Sequence, residues 1–143
     1  MGWKKRILFY PPGGKNFVHV QDVAAAIRRC MLTGKNGERF IIAGENLTYH
    51  EFFRKLNSLT GQKSLMIRIP GLILLMLGGA GDMIRILGIR CGLSSNNMKI
   101  LCVNNFYSNN KAVEGLGVSF RSADAAITDA IAYFSGHHQQ TSK

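Results

Sequence analysis

Tyr107 and Lys111 stand four residues apart in the run FYSNNKAVEGLG. On a helix that spacing puts a phenol and an ammonium on one face. The ammonium favours the phenolate, and a tyrosine tuned in this way is a general acid/base. The surrounding residues argue against a shared helix. A helix that begins near Asn109 or Asn110 and ends at Leu116-Gly117 leaves Tyr107 outside it. Tyr107 is then expected to bury its ring and Lys111 to face solvent. His19 sits within the apolar run Phe17, Val18, Val20, and no Ser or Cys nucleophile stands in a recognisable context, so its expected role is structural. His137 and His138 lie near the C-terminus without partner ligands at fixed spacing, and no metal site is predicted. Pro11-Pro12-Gly13-Gly14-Lys15 lacks the remaining glycine spacing and the Ser or Thr of a P-loop. The glycines of residues 78–81 follow an apolar helical run, whereas a dinucleotide turn joins a strand to a helix. The residue types therefore assign no catalytic and no cofactor-binding residue.

The elements that would position these groups are legible between residues 15 and 61. Phe17, Val18 and Val20 read as a short strand after the Pro-Gly turn. Asp22 stands where an N-cap belongs. Val23, Ala26, Ile27, Cys30 and Met31 form one helical face, and Gly34 stops the helix. Residues 39–43 carry Phe40, Ile41 and Ile42 in a continuous apolar run, as a strand buried on both faces does. Thr48 and Glu51 have capping-box spacing before a helix over residues 48–60. Residues 65–69 form a strand that Pro70 ends. Strand 39–43, helix 48–60 and strand 65–69 make an expected βαβ unit. Ile7 to Tyr10 is a short strand before the turn. Residues 69–81 hold no charge, too short a span for a bilayer crossing of roughly 20 residues. They read as a core helix that the glycines break or kink, or, in a second reading, as an interfacial helix flanked by Arg68, Arg85 and Arg90. Residues 92–97 are a loop, and residues 98–103 are helix or strand. Ser122 caps a last helix with Ala126, Ile127, Ala130, Ile131 and Phe134 as its buried stripe, and Gly136 ends it.

The chain has 143 residues, 46% of them apolar and 18% charged, which fits a globular domain. Residues 1–14 read as a lead-in segment, 15–136 as an α/β domain and 137–143 as a polar tail. The net charge of +10 is spread along the chain. It fits a solvated basic surface, and no nucleic-acid-binding motif accompanies it. A non-enzymatic basic module binding anionic lipid or nucleic acid is the alternative that the charge leaves open. Cys30, Cys91 and Cys102 are odd in number and lack C-x-x-C, which favours reduced thiols in a cytoplasmic protein, with Cys30 in core packing. No signal peptide and no transmembrane segment are evident.

The segments NFVHVQDVAAAI, GERFIIAGENLTYHEF, TGQK running into RIP, and FYSNNKAVEGLG, with the final amphipathic helix, resemble the C-terminal half of the extended short-chain dehydrogenase/reductase family. That family includes NAD-dependent nucleotide-sugar epimerases and dehydratases and dihydroflavonol reductase-like enzymes. The resemblance implies an α/β fold: a small sheet with a βαβ unit and packed helices, the substrate-binding part without its Rossmann domain. It implies that the chain begins where the family's second half begins, as a truncated or split form. Tyr107 and Lys111 match the family's Y-x-x-x-K in letters, but in a segment that resembles the downstream region. The resemblance assigns substrate contact to Lys15 and Phe17, where nucleotide-sugar members carry an Arg and an aromatic. Lys keeps the charge and loses bidentate recognition, which leans toward the reductase-like branch. The parent family uses NAD(P); none is expected to bind this chain alone. The expected partners are a small-molecule substrate and either the missing nucleotide-binding half or a second copy.

Overall fold

The computed structural model describes residues 6–89 and 92–140. Lys4 and Lys5, Arg90, Cys91 and the last three residues lie outside them, as do the side chains of His137 and His138. The elements run β1 (Ile7–Tyr10), β2 (Gly14–Phe17), α1 (Val20–Thr33), β3 (Glu45–Thr48), α2 (Tyr49–Thr60), β4 (Leu65–Arg68), α3 (Gly71–Ile86), α4 (Ser95–Cys102), β5 (Asn104–Asn105), α5 (Asn110–Leu116) and α6 (Ala123–Gln140). The class is α/β, as the sequence implied. The chain divides into two compact units, one of Met1–Lys15, Leu47–Asn57 and Gln62–Phe106, the other of Asn16–Asn46, Ser58–Gly61 and Tyr107–Lys143.

In the first unit β1 and β4 pair in parallel from Ile7↔Leu65 to Tyr10↔Arg68. The expected βαβ unit is therefore not formed: β4 pairs with β1, while β3 belongs to a separate sheet of order β3-β2-β5. The Pro-Gly turn brings the chain close to β5. A Cβ on Gly13 would sit 2.5 Å from the Val103 carbonyl oxygen, and one on Gly14 2.7 Å from the Phe106 ring, so only glycine fits both positions. Gly14 and Lys15 then pair in parallel with Asn104 and Asn105. The capping box forms as read. The Thr48 N–H donates to Glu51 Oε2 at 2.8 Å, and the Glu51 N–H donates to Thr48 Oγ1 at 3.2 Å.

The glycines of α3 do not break it. Gly78 and Gly81 are buried with Leu74 on one face, against α4. A Cβ on Gly78 would lie 2.7 Å from Ser95 Cα, and one on Gly81 2.5 Å from the Leu93 carbonyl oxygen. These glycines let two helices approach closely, and that packing offsets their poor helix propensity. Residues 95–102 resolve as helix: Asp82 Oδ2 accepts the Ser95 N–H at 3.1 Å, and Ser94 Oγ accepts the Asn97 N–H at 3.2 Å. Those bonds satisfy amide groups that no helical carbonyl reaches, and they start the helix within the expected loop.

In the second unit Ala26, Ala112, Leu116 and Val118 form the core, with Phe40, Ile42 and Phe120 packed on it. Of the α1 stripe predicted to be buried, Ala26 is in the core and Val23 is half-buried, but Ile27, Cys30 and Met31 face outward. Asp22 and Ala26 are the buried residues of the helix, whereas Ile27 is 55% and Met31 83% exposed. Cys30 is exposed rather than packed in the core. The reason is a polar tether: Asp22 Oδ2 accepts the Arg121 N–H at 2.7 Å, which turns the Asp22 side of α1 inward. Asp22 is therefore not the N-cap. His19 is, its Nδ1 accepting the Gln21 N–H at 3.1 Å. Residues 39–43 are not a strand either, and Ile41 is exposed. Ser122 stands in the N-cap position of α6, its carbonyl accepting the Ala126 N–H at 3.5 Å, and the first amide group of the helix donates to Glu45 Oε2 at 2.9 Å. Within the expected buried stripe of α6, Ile127 is buried while Ala130 and Phe134 are exposed. The helix continues past Gly136 to Gln140.

Candidate functional site

Lys15 and Phe17 are alternate residues of β2 and stand on the same side of that strand. Lys15 is exposed and Phe17 half-buried. Asn16 between them points the other way, and its amide does what a neighbouring strand would do. Its Oδ1 accepts the Gly44 N–H at 2.8 Å and its Nδ2 donates to the Gly44 carbonyl at 3.2 Å. A Cβ on Gly44 would lie 2.2 Å from the Phe17 carbonyl oxygen, so the two stretches touch at a glycine. One side chain thus takes both backbone groups of Gly44, the residue between the apolar run and β3.

Asn16 Nδ2 also donates to Asn46 Oδ1 at 2.7 Å. Asn46 then holds Tyr107 by its backbone, Oδ1 accepting the Tyr107 N–H at 3.1 Å and Nδ2 donating to the Tyr107 carbonyl at 3.0 Å. Asn109 Nδ2 donates to the Ala43 carbonyl at 2.6 Å. This asparagine relay places the segment before α5. Its signal in the sequence is only the presence of Asn at positions whose partners lie 28 to 66 residues away.

The relay also decides the Tyr107–Lys111 question. α5 begins at Asn110 with Asn109 as N-cap, so Tyr107 lies outside the helix. Contrary to expectation Tyr107 is 50% exposed, because the relay holds the backbone and leaves the side chain outside the core. Lys111 is exposed, with its Nζ 4.9 Å from the centre of the Phe40 ring. The pair does not form an acid/base site. A cleft of about 420 Å³ lies beside Lys111, lined by Thr33, Lys35, Glu38, Phe40 and Glu114 as well.

A second cleft, of about 610 Å³, is lined by Val18, His19, Val20, Asp129, Tyr133 and Phe134 among others. His19 is buried, and its Nε2 lies 2.9 Å from Asp129 Oδ2. Because Nδ1 accepts a backbone N–H, the ring carries its proton on Nε2 and donates it to the carboxylate. Both ring nitrogens are occupied, as the structural reading of His19 requires. Asp129 lies 110 residues away, and nothing in its helical position announces the pairing. Lys15 and Phe17 line neither cleft.

Neither glycine cluster among the described residues sits in the strand–turn–helix that cradles a pyrophosphate. The glycines of 78–81 are mid-helix, with Gly78 packed on α4 and Gly81 on Leu93, while Gly13 precedes β2 and Gly14 is its first residue. Among the described residues no three His, Cys, Asp or Glu side chains gather as a metal site. No described helix is long and apolar enough to cross a membrane.

No family model matches the sequence. A Synechocystis protein with the provisional name dihydroflavonol 4-reductase is 25% identical over 139 residues, 94% of this chain and 40% of that protein. The crystal structure of gox2253 superposes with a TM-score of 0.75 at 32% identity, over 90% of this chain and 39% of its own. RMD from Pseudomonas aeruginosa, solved with NADPH, superposes at a TM-score of 0.55 and 13% identity over 87% of this chain and 34% of its own. These 143 residues thus span about two fifths of the curated relative's length, and with the α/β architecture and the matched segments they are similar to the C-terminal part of extended short-chain dehydrogenase/reductase proteins.

Proposed function

We propose that these residues are the substrate-binding portion of an NAD(P)-dependent sugar epimerase/dehydratase or dihydroflavonol reductase-like oxidoreductase, inactive on their own. The observation that carries this is the match of 94% of the chain to 40% of the reductase-named relative. The lack of a pyrophosphate cradle among the described residues supports the inactivity. Lys15 offers a single cation to an oxyanion of the substrate, and Phe17 an aromatic face. A lysine at this place favours the dihydroflavonol-type branch. The complementary partner is a nucleotide-binding half or a second copy, and the compartment is the cytoplasm. The outward apolar stripe of α1 supports a missing partner.

Saturation-transfer NMR on the chain, with dihydroquercetin and UDP-glucose as probes, tests this. A dihydroflavonol signal that Phe17→Ala and Lys15→Ala both weaken is expected. Silence from both probes, or signals that neither substitution changes, rejects the assignment. Calorimetric titration with NADP(H) and NAD(H) should show no saturable heat at micromolar cofactor; saturable binding would reject the inactivity.

A further inference from the structure

α3 is apolar all round except for Asp82 and Arg85. Its buried residues Leu74, Gly78 and Gly81 face α4, and Asp82 turns to that helix to accept the Ser95 N–H. The opposite face carries Leu72, Ile73, Met76, Ala80, Met83 and Leu87 at helical spacing. Leu72 is 70%, Met76 69% and Met83 70% exposed. At about 1.5 Å per residue the helix offers an apolar strip about 24 Å long. An exposed strip of this extent marks an interaction surface.

We propose that this face lies flat in the interfacial layer of an anionic lipid membrane. Two observations select lipid over a protein partner, and the helix length sets how it lies. The outward face holds no hydrogen-bonding side chain along its length, whereas protein interfaces carry roughly one hydrogen bond per 100–200 Å². The 16 residues of α3 fall short of the roughly 20 that span a bilayer, so the helix lies in the interface plane. Charge is complementary as well. Residues 62–106 contain Lys63, Arg68, Arg85, Arg90 and Lys99 against the single acid Asp82. Arg68, just before the N-terminal end of the helix, is exposed. Such cations add attraction to anionic headgroups that falls off with salt. The proposal stands apart from the substrate-binding reading and does not depend on it.

The experiment is co-sedimentation of the chain with phosphatidylcholine vesicles, with and without phosphatidylglycerol. The triple variant Leu72→Gln/Met76→Gln/Met83→Gln changes exposed side chains only, and circular dichroism verifies its fold. The double variant Ile27→Gln/Met31→Gln, on α1, is the control. The chain and the control should pellet with phosphatidylglycerol vesicles, less so as salt rises, and the triple variant should lose at least about tenfold in vesicle affinity. Absence of pelleting with anionic vesicles overturns the proposal, as does undiminished binding by the triple variant. A dimer that the triple variant makes monomeric, with no vesicle binding, also overturns it and gives the face to a second copy.

Discussion

At the scale of single residues, asparagines carry much of the second unit. Removing the Asn16 amide leaves both backbone groups of Gly44 and one acceptor of Asn46 without their partner. Asn16→Ala should lower stability by about 1–3 kcal/mol, the cost of leaving such groups unmade. Urea denaturation measures it, and an unchanged midpoint would show that water replaces the amide. Lys111→Ala removes a cation from the Phe40 ring at an exposed position, so the expected loss is about 0.5–1 kcal/mol; a loss well beyond that range would mean that Lys111 has a further role. Residues whose partners are local were legible in the sequence: Thr48 with Glu51, and Tyr107 outside the helix of Lys111. His19 with Asp129, Asp22 with Arg121, and Asn16 with Gly44 were not, because a side chain's partner a hundred or even thirty residues away leaves no local period.

At the scale of elements, helical periodicity was read well and burial less well. The apolar face of α1 has the expected spacing, yet Asp22 turns Ile27, Cys30 and Met31 outward. The run 39–43 has strand composition, yet it forms no strand, and Phe40 and Ile42 pack on the core of the second unit. α3 was expected to break or kink at its glycines, and their different surroundings now make a contrast. Nothing lies within 4 Å of a Cβ added to Gly79, whereas one on Gly81 would meet the Leu93 backbone at 2.5 Å. Gly79→Ala should stabilise by up to about 1 kcal/mol through helix propensity, and Gly81→Ala should destabilise by about 1–3 kcal/mol through overpacking. Thermal melting of both variants checks the pair of signs; equal shifts would mean that α3 and α4 are not closely packed. The link between these helices is also pH-dependent. The Ser95 hydroxyl and backbone N–H hold the Asp82 carboxyl below the ordinary aspartate range. A carboxylate lowered on folding contributes stability above its unfolded pKa and loses it as pH falls through the folded value. The stability gap between the wild-type chain and Asp82→Asn should therefore be larger near about pH 7 than near about pH 3. A gap that grows on acidification would contradict the assigned bond.

At the scale of the whole molecule, the chain carries more amphipathic surface than its own core uses. Val20, Val23, Ile27 and Met31 recur at helical spacing along α1, and Ile27 and Met31 lie one turn apart on its outward side. Such a pattern in a sequence reports that something covers the face; it cannot report whether the cover lies within the same 143 residues. Here the stripe remains open, while relatives of this chain are about two and a half times as long. Full burial of an Ile or Met side chain is worth about 1.5–3 kcal/mol, so a few such residues are enough to drive weak association when no other cover is present. The chain by itself is therefore expected to self-associate through α1. Sedimentation velocity should show a concentration-dependent shift toward dimers, together with binding of a dye that reports apolar surface. Ile27→Glu/Met31→Glu places two carboxylates on the stripe and should return the chain to monomer without loss of helix content. The Leu72→Gln/Met76→Gln/Met83→Gln variant of α3 should leave the self-association unchanged, which separates the two faces in one experiment. A strict monomer without dye binding would show that α1 needs no cover, and would remove the support that its outward stripe lends to a missing partner.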